Sequence, residues 1–193
     1  AFIDDDRGIV TTAGTASITI RNGRVVGCFH VGIDSVATTG GRIEDLTIEE
    51  CGDSIGLGAV RLGASSEVRR CTLTRNGRGV TMGDGGTVQD CTIRRATFEG
   101  IWGGANCVVS RCALFDVGAD GTSVDGLVLG AGAQISRCAI RTRGDNDLII
   151  LGDRASLTDC TVERGLIFIG ERSAVLGCTL EGGSPGGMTL QAG

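Results

Sequence analysis

Residues 79–93, GVTMGDGGTVQDCTI, decide the fold because the chain repeats them. The skeleton returns as GIWGGANCVVSRCAL at 100–114 and as GLVLGAGAQISRCAI at 126–140. Each copy reads Gly, apolar, any residue, apolar, Gly, a short gap, then apolar, two polar residues, Cys, Thr or Ala, and a last apolar residue. A unit of this kind buries its apolar face only by stacking on its neighbours, which makes it one rung of a solenoid.

Working outward from it, the polar pair and the residue after it align eight times. They are Arg21-Asn22-Gly23, Glu44-Asp45-Leu46, Arg69-Arg70-Cys71, Gln89-Asp90-Cys91, Ser110-Arg111-Cys112, Ser136-Arg137-Cys138, Thr158-Asp159-Cys160 and Leu176-Gly177-Cys178. The expected fold is all-β: a parallel β-helix of about eight rungs, each with three short strands and about 22 residues. At about 4.8 Å per rung the body is roughly 40 Å long. Alternation sends Val80 and Met82, Leu127 and Leu129, Ile149 and Leu151, and Ile167 and Ile169 of the first strand inward. The second strand contributes Ile20, Ile43, Val68, Val88, Val109, Ile135, Leu157 and Val175, and the third Val25, Ile48, Leu73, Ile93, Leu114, Ile140, Val162 and Leu180. Residues 1–193 read as a single domain, or as a segment of a longer chain, starting at the end of a third strand and stopping at a first strand, Met188-Thr189-Leu190.

Composition narrows the function classes. The 34 glycines and one proline fit many tight bends without the period of collagen. A formal charge of −5 with no basic stripe argues against nucleic acid, which is bound by neutralising phosphates. No apolar run approaches the roughly 20 residues of a membrane helix. Six of the nine cysteines, Cys71, Cys91, Cys112, Cys138, Cys160 and Cys178, share one slot of successive rungs and read as buried, free thiols. The alternating charges at the turns, Asp45, Arg70, Asp90 and Arg111, read as register control on a solvated face.

Three long connections, 49–59, 115–125 and 141–147, are where function on a fixed scaffold usually sits. Asp116, Asp120 and Asp125, with Asp145 and Asp147, are weak candidates for a calcium site, since oxygen ligands gathered from two loops suit that ion. They lack the spacing of a known calcium loop, so no cofactor is expected. The lone His30 reads as solvated. The Arg143-Gly144-Asp145 string carries no weight without structural context.

The segment Thr87-Val88-Gln89-Asp90-Cys91-Thr92-Ile93 resembles the turn repeat of the pectin-lyase-like superfamily, which contains pectate lyases, polygalacturonases, uronan epimerases and phage tailspikes. The resemblance runs from about Ile18 to Leu190 and is one of fold, implying a right-handed, single-stranded β-helix of bacterial or phage type, extracellular or on a cell surface; free cysteines also fit a cytoplasmic protein. It implies that a catalytic site lies on the outer face of the first strand, where this chain places Asp34, Arg61, Thr81, Trp102, Val128, Ile150, Phe168 and Thr189. The only histidine is 30 and the only proline 185, so the His-containing segments of polygalacturonases and epimerases are absent. A lyase or epimerase acting on an acidic polysaccharide would rest on Asp34 and Arg61, helped by Asp53. The expected reading is instead a non-catalytic scaffold or adhesive segment. It binds a second copy, a flanking domain or a polysaccharide through Trp102, Val128, Ile150 and Phe168, because an apolar row of that extent is rarely left bare. The rival arrangement turns Trp102 inward over Gly103.

Overall fold

The computed structural model describes residues 2–3, 6–12, 17–52, 57–118, 126–144 and 148–181. It is built of strands, and it contains no helix long and apolar enough to cross a membrane among the described residues. Eight parallel strands stack as the first side of the solenoid: Arg7–Val10, Val31–Ser35, Gly58–Leu62, Arg78–Met82, Ile101–Gly103, Leu127–Leu129, Leu148–Leu151 and Leu166–Ile169. Seven turns of chain separate the first of these from the last. The second and third sides belong to one fifteen-stranded sheet.

The register is that of the aliphatic ladders. Ile20, Ile43, Val68, Val88, Val109, Ile135, Leu157 and Val175 pair rung on rung. So do Val25, Ile48, Leu73, Ile93, Leu114, Ile140, Val162 and Leu180. With Val80, Met82, Leu127, Leu129, Ile149, Leu151 and Ile167 all of these but Leu180, which is 38% exposed, form one continuous core, most members of which are almost fully buried. Each large aliphatic side chain taken from water in this way is worth about 1.5–3 kcal/mol. A one-residue slip would turn a whole ladder outward, so burial fixes the register.

The corner between second and third sides is one residue long and left-handed. Asn22, Asp45, Arg70, Asp90, Arg111, Arg137 and Asp159 all have φ between 50° and 57°, and Gly177 has 63°. Such a backbone costs roughly 1–2 kcal/mol per non-glycine residue. The corner keeps its hydrogen bonds in return: the N–H of Arg70, Asp90, Arg111, Arg137 and Asp159 each donates to a carbonyl of the next rung. The residue after the corner points inward, and its amide would be orphaned inside the protein. The cysteine of the next rung accepts it. Cys71 donates to the sulfur of Cys91, Cys112 to Cys138, Cys138 to Cys160 and Cys160 to Cys178, at 3.4–3.5 Å. The other corners use the same device with other side chains: Asn76 Oδ1 accepts from Cys51, Ser66 Oγ from Gly41 and Ser173 Oγ from Ala155. All nine cysteines are free, and only Cys178 is less than fully buried.

Three expectations are corrected. The first two rungs do not break into separate second and third strands, because Thr19–Val26 and Arg42–Glu49 each run as one eight-residue strand through the corner. A first-side strand, Arg7–Val10, precedes the first one read from sequence. The long connections are shorter than expected, since Glu49, Ala59, Phe115, Asp116, Arg141 and Thr142 all lie in strands. The expected Met188-Thr189-Leu190 strand lies outside the described residues.

Candidate functional site on the first side

First-side strands send outward the residue between two inward ones, which makes a row along this face, and the last strand adds Leu166 beside it. Strand pairing puts Val10, Asp34, Arg61, Thr81, Trp102, Val128, Ile150 and Phe168 side by side. The row has two unlike parts.

At the N-terminal end Arg61 reaches back to Asp34, Nη1 to Oδ2 at 3.2 Å. Asp34 is only 8% exposed, and its other oxygen, Oδ1, is buried without a hydrogen-bond partner. Asp34 and Arg61 are neighbours on the outer face, and the arginine on the next rung folds over the carboxylate and covers it. Asp53, the third member of the expected catalytic set, lies outside the described residues. One strand further on, Arg78 at the strand's start is closed by Glu99, itself largely buried.

From Trp102 onward the row is apolar. Trp102 is 42% exposed, so its indole faces out and does not turn in over Gly103. Val128, Ile150 and Phe168 shield one another and are partly exposed. Beside them the chain leaves the strands through stacked small residues. A side chain at Gly152 would collide with the backbone of Ala131, its Cβ 2.5 Å from the nitrogen. The low corner that results is a shallow groove of about 450 Å³ lined by Ala105, Asn106, Ala131, Gly132 and Arg154, running into a smaller one of about 190 Å³ at Asp153, Arg154, Glu171 and Arg172. Sequence reasoning passed over this groove; its signal is the glycine that follows each first strand at 104, 130, 152 and 170.

The opposite faces are occupied by their own charges. Glu44, 6% exposed, receives Arg69 at 2.9 Å, Arg70 at 3.3 Å and Arg42 at 3.4 Å, while Arg70 also holds Asp45 at 2.7 Å and Arg42 holds Glu67 at 2.8 Å. Hydrogen bonding from Arg69 holds the Glu44 carboxyl below the usual carboxylate range, against the opposing effect of desolvation. Arg70 does the same to Asp45. Phe115 lies between the guanidinium groups of Arg94 and Arg141, 4.8 and 5.5 Å from its ring centre.

Of the five loop acids only Asp116 lies among the described residues. Asp116 is paired with Arg141 at 2.9 Å, and Asp120, Asp125, Asp145 and Asp147 lie outside the described residues. No cluster of three or more metal-ligating side chains is formed among the described residues. His30, expected to be solvated, is paired with Asp6, and Phe29 meets its ring edge-on.

Residues 2–114 match the family model of the right-handed β-helix region. The chain is a right-handed β-helix protein. That span is more than half of it, and includes the rungs carrying Asp34, Arg61 and Trp102. No curated protein and no solved structure matches the chain. Membership in the right-handed β-helix family brings the architecture and the coiling hand, and leaves the activity to be argued from the site.

Proposed function

We propose that this right-handed β-helix is a non-catalytic scaffold that works by laying its first side against a second copy of itself. The observation that carries the reading is the strip Trp102, Val128, Ile150 and Phe168, four outward apolar residues in register on consecutive strands. The strip reads aromatic, aliphatic, aliphatic, aromatic. A two-fold axis between Val128 and Ile150 therefore sets Trp102 over Phe168 of the other copy and Val128 over its Ile150, a self-complementary contact. It is also uncharged, so two chains of net charge −5 approach there with least repulsion. Aromatic residues at the ends of such a patch are the side chains most enriched at interfaces.

Trp102 is the only tryptophan, so its fluorescence reports this face alone. Sedimentation across a concentration series should show a dimer, with a blue shift of the tryptophan as it forms. A monomer at all concentrations with an unshifted tryptophan overturns the proposal; a shift produced only by a polysaccharide would replace the second copy with a glycan. One observation favours a second reading, a lyase or epimerase acting on an acidic glycan: the buried, half-partnered Asp34 beside Arg61. Turnover of pectate, alginate or chondroitin, followed by the absorbance of unsaturated uronates and lost in Arg61→Ala, would establish that reading instead.

A further inference from the structure

We infer that Cys160 and Cys178, at the C-terminal end of the thiol column, form a redox modification site that closes as a disulfide and staples the last two described rungs. Access to the column differs only at Cys178. Cys71, Cys91, Cys112, Cys138 and Cys160 are each at most 3% exposed, whereas Cys178 is partly open to solvent. Strand pairing brackets the pair on both sides, Thr158 with Leu176 and Thr161 with Thr179, so the two cysteines are directly stacked. Stacked residues of neighbouring parallel strands lie about 4.8 Å apart at Cα, inside the roughly 4.4–6.8 Å that a disulfide spans. The sulfur of Cys178 already sits 3.4 Å from the amide of Cys160. Cys71, Cys91, Cys112 and Cys138 stack in the same way, and so do Cys28 and Cys51, but all of these are shielded.

The rung that would be stapled is the one with most to gain. Its core-side residues are poorly covered: Leu180 is 38% exposed and Val175 partly so, and its outward Leu176 is 60% exposed. A low-molecular-weight disulfide, RS–SR, supplies the oxidant. The Cys178 thiolate attacks one of its sulfurs, forming Cys178–S–S–R and releasing RS⁻. Cys160, as thiolate, then attacks the Cys178 sulfur, forming the Cys160–Cys178 bond and releasing the second RS⁻. Two protein thiols lose two protons and two electrons, and the small disulfide is reduced to two thiols. Hydrogen bonding with Cys138 and burial hold the Cys160 thiol above the usual range, so the second step quickens as pH rises.

The test treats the native protein with oxidised glutathione and maps it by non-reducing peptide mass spectrometry. The expected product joins the tryptic segment 155–164 to the one beginning at 173, and amide exchange in Ala174–Leu176 and Thr179–Glu181 slows by about tenfold. Cys178→Ser, or Cys178→Ala if the serine variant does not fold, abolishes the link. Cys160→Ser stops the reaction at a stable glutathione adduct on Cys178, and Cys91→Ser leaves the link unchanged. An adduct that stays on Cys178 in the unaltered protein, a link elsewhere in the column, or reaction only after unfolding would each overturn the inference.

Discussion

The face around Glu44 and the face around Ile150 are cut from the same repeat, yet one is finished and the other open. On the first, every arginine that Glu44 meets is also engaged by Asp45 or Glu67. Its charges are paired within the chain, and among the described residues the one buried polar atom left over there is the Nε of Arg69. On the second, four apolar side chains lie in line and answer only one another. Surface charge in a solenoid therefore does not by itself mark a working face; a closed ion-pair network sets register, and the place where pairing stops is where a partner fits.

The largest effect should come from the core that both faces share. Cys112→Asp puts an unpaired charge at a site 3% exposed and should cost about 3–5 kcal/mol in chemical denaturation, abolishing the distinction by melting both faces. Next comes Ile150→Asp with Phe168→Asp, which should end self-association in sedimentation while leaving the β-sheet circular dichroism intact, since both side chains point outward. Loss of folding in that double variant would show that the strip belongs to the core. Glu44→Gln should do the opposite, lowering the thermal midpoint without changing the dimer. Acid should mimic it. The Glu44 and Asp45 pKa values are depressed in the folded state, so the unfolded chain binds more protons. Their stabilisation is complete above the ordinary carboxylate range of about 4 and is lost as pH falls through it toward the lower folded values. A thermal midpoint flat from neutral pH down to 3 would remove the network from the account. The smallest effect belongs to Arg111→Ala: its partner Asp90 is exposed, so the change in midpoint should stay within error.

The core was legible because it obeys a period of two within strands and a constant spacing across the corner. Ile43, Val68, Val88 and Val109 could be aligned without coordinates, and the outward row from Asp34 to Phe168 follows from the same alternation. What was not legible depends on the reach of long side chains. Nothing in the string says that Arg61 bends back over Asp34, or that three arginines converge on Glu44. The strand Arg7–Val10 was missed because Gly8-Ile9-Val10 runs on into Thr11-Thr12, where the template has an apolar residue and a glycine. The cysteines were legible as a buried column, but their task as amide acceptors was not, because it depends on a corner so tight that the next N–H turns into the core.

That task has a direction. The side-chain acceptors Ser66, Asn76, Cys91, Cys138, Cys160, Cys178 and Ser173 each take their hydrogen from the rung before them. A chain emerging from the ribosome makes its rungs in the same order, so each new rung arrives carrying the group that its predecessor lacks. Growth is thus self-sealing from the N-terminal end, and a pause in synthesis exposes the unmet amides of one rung only.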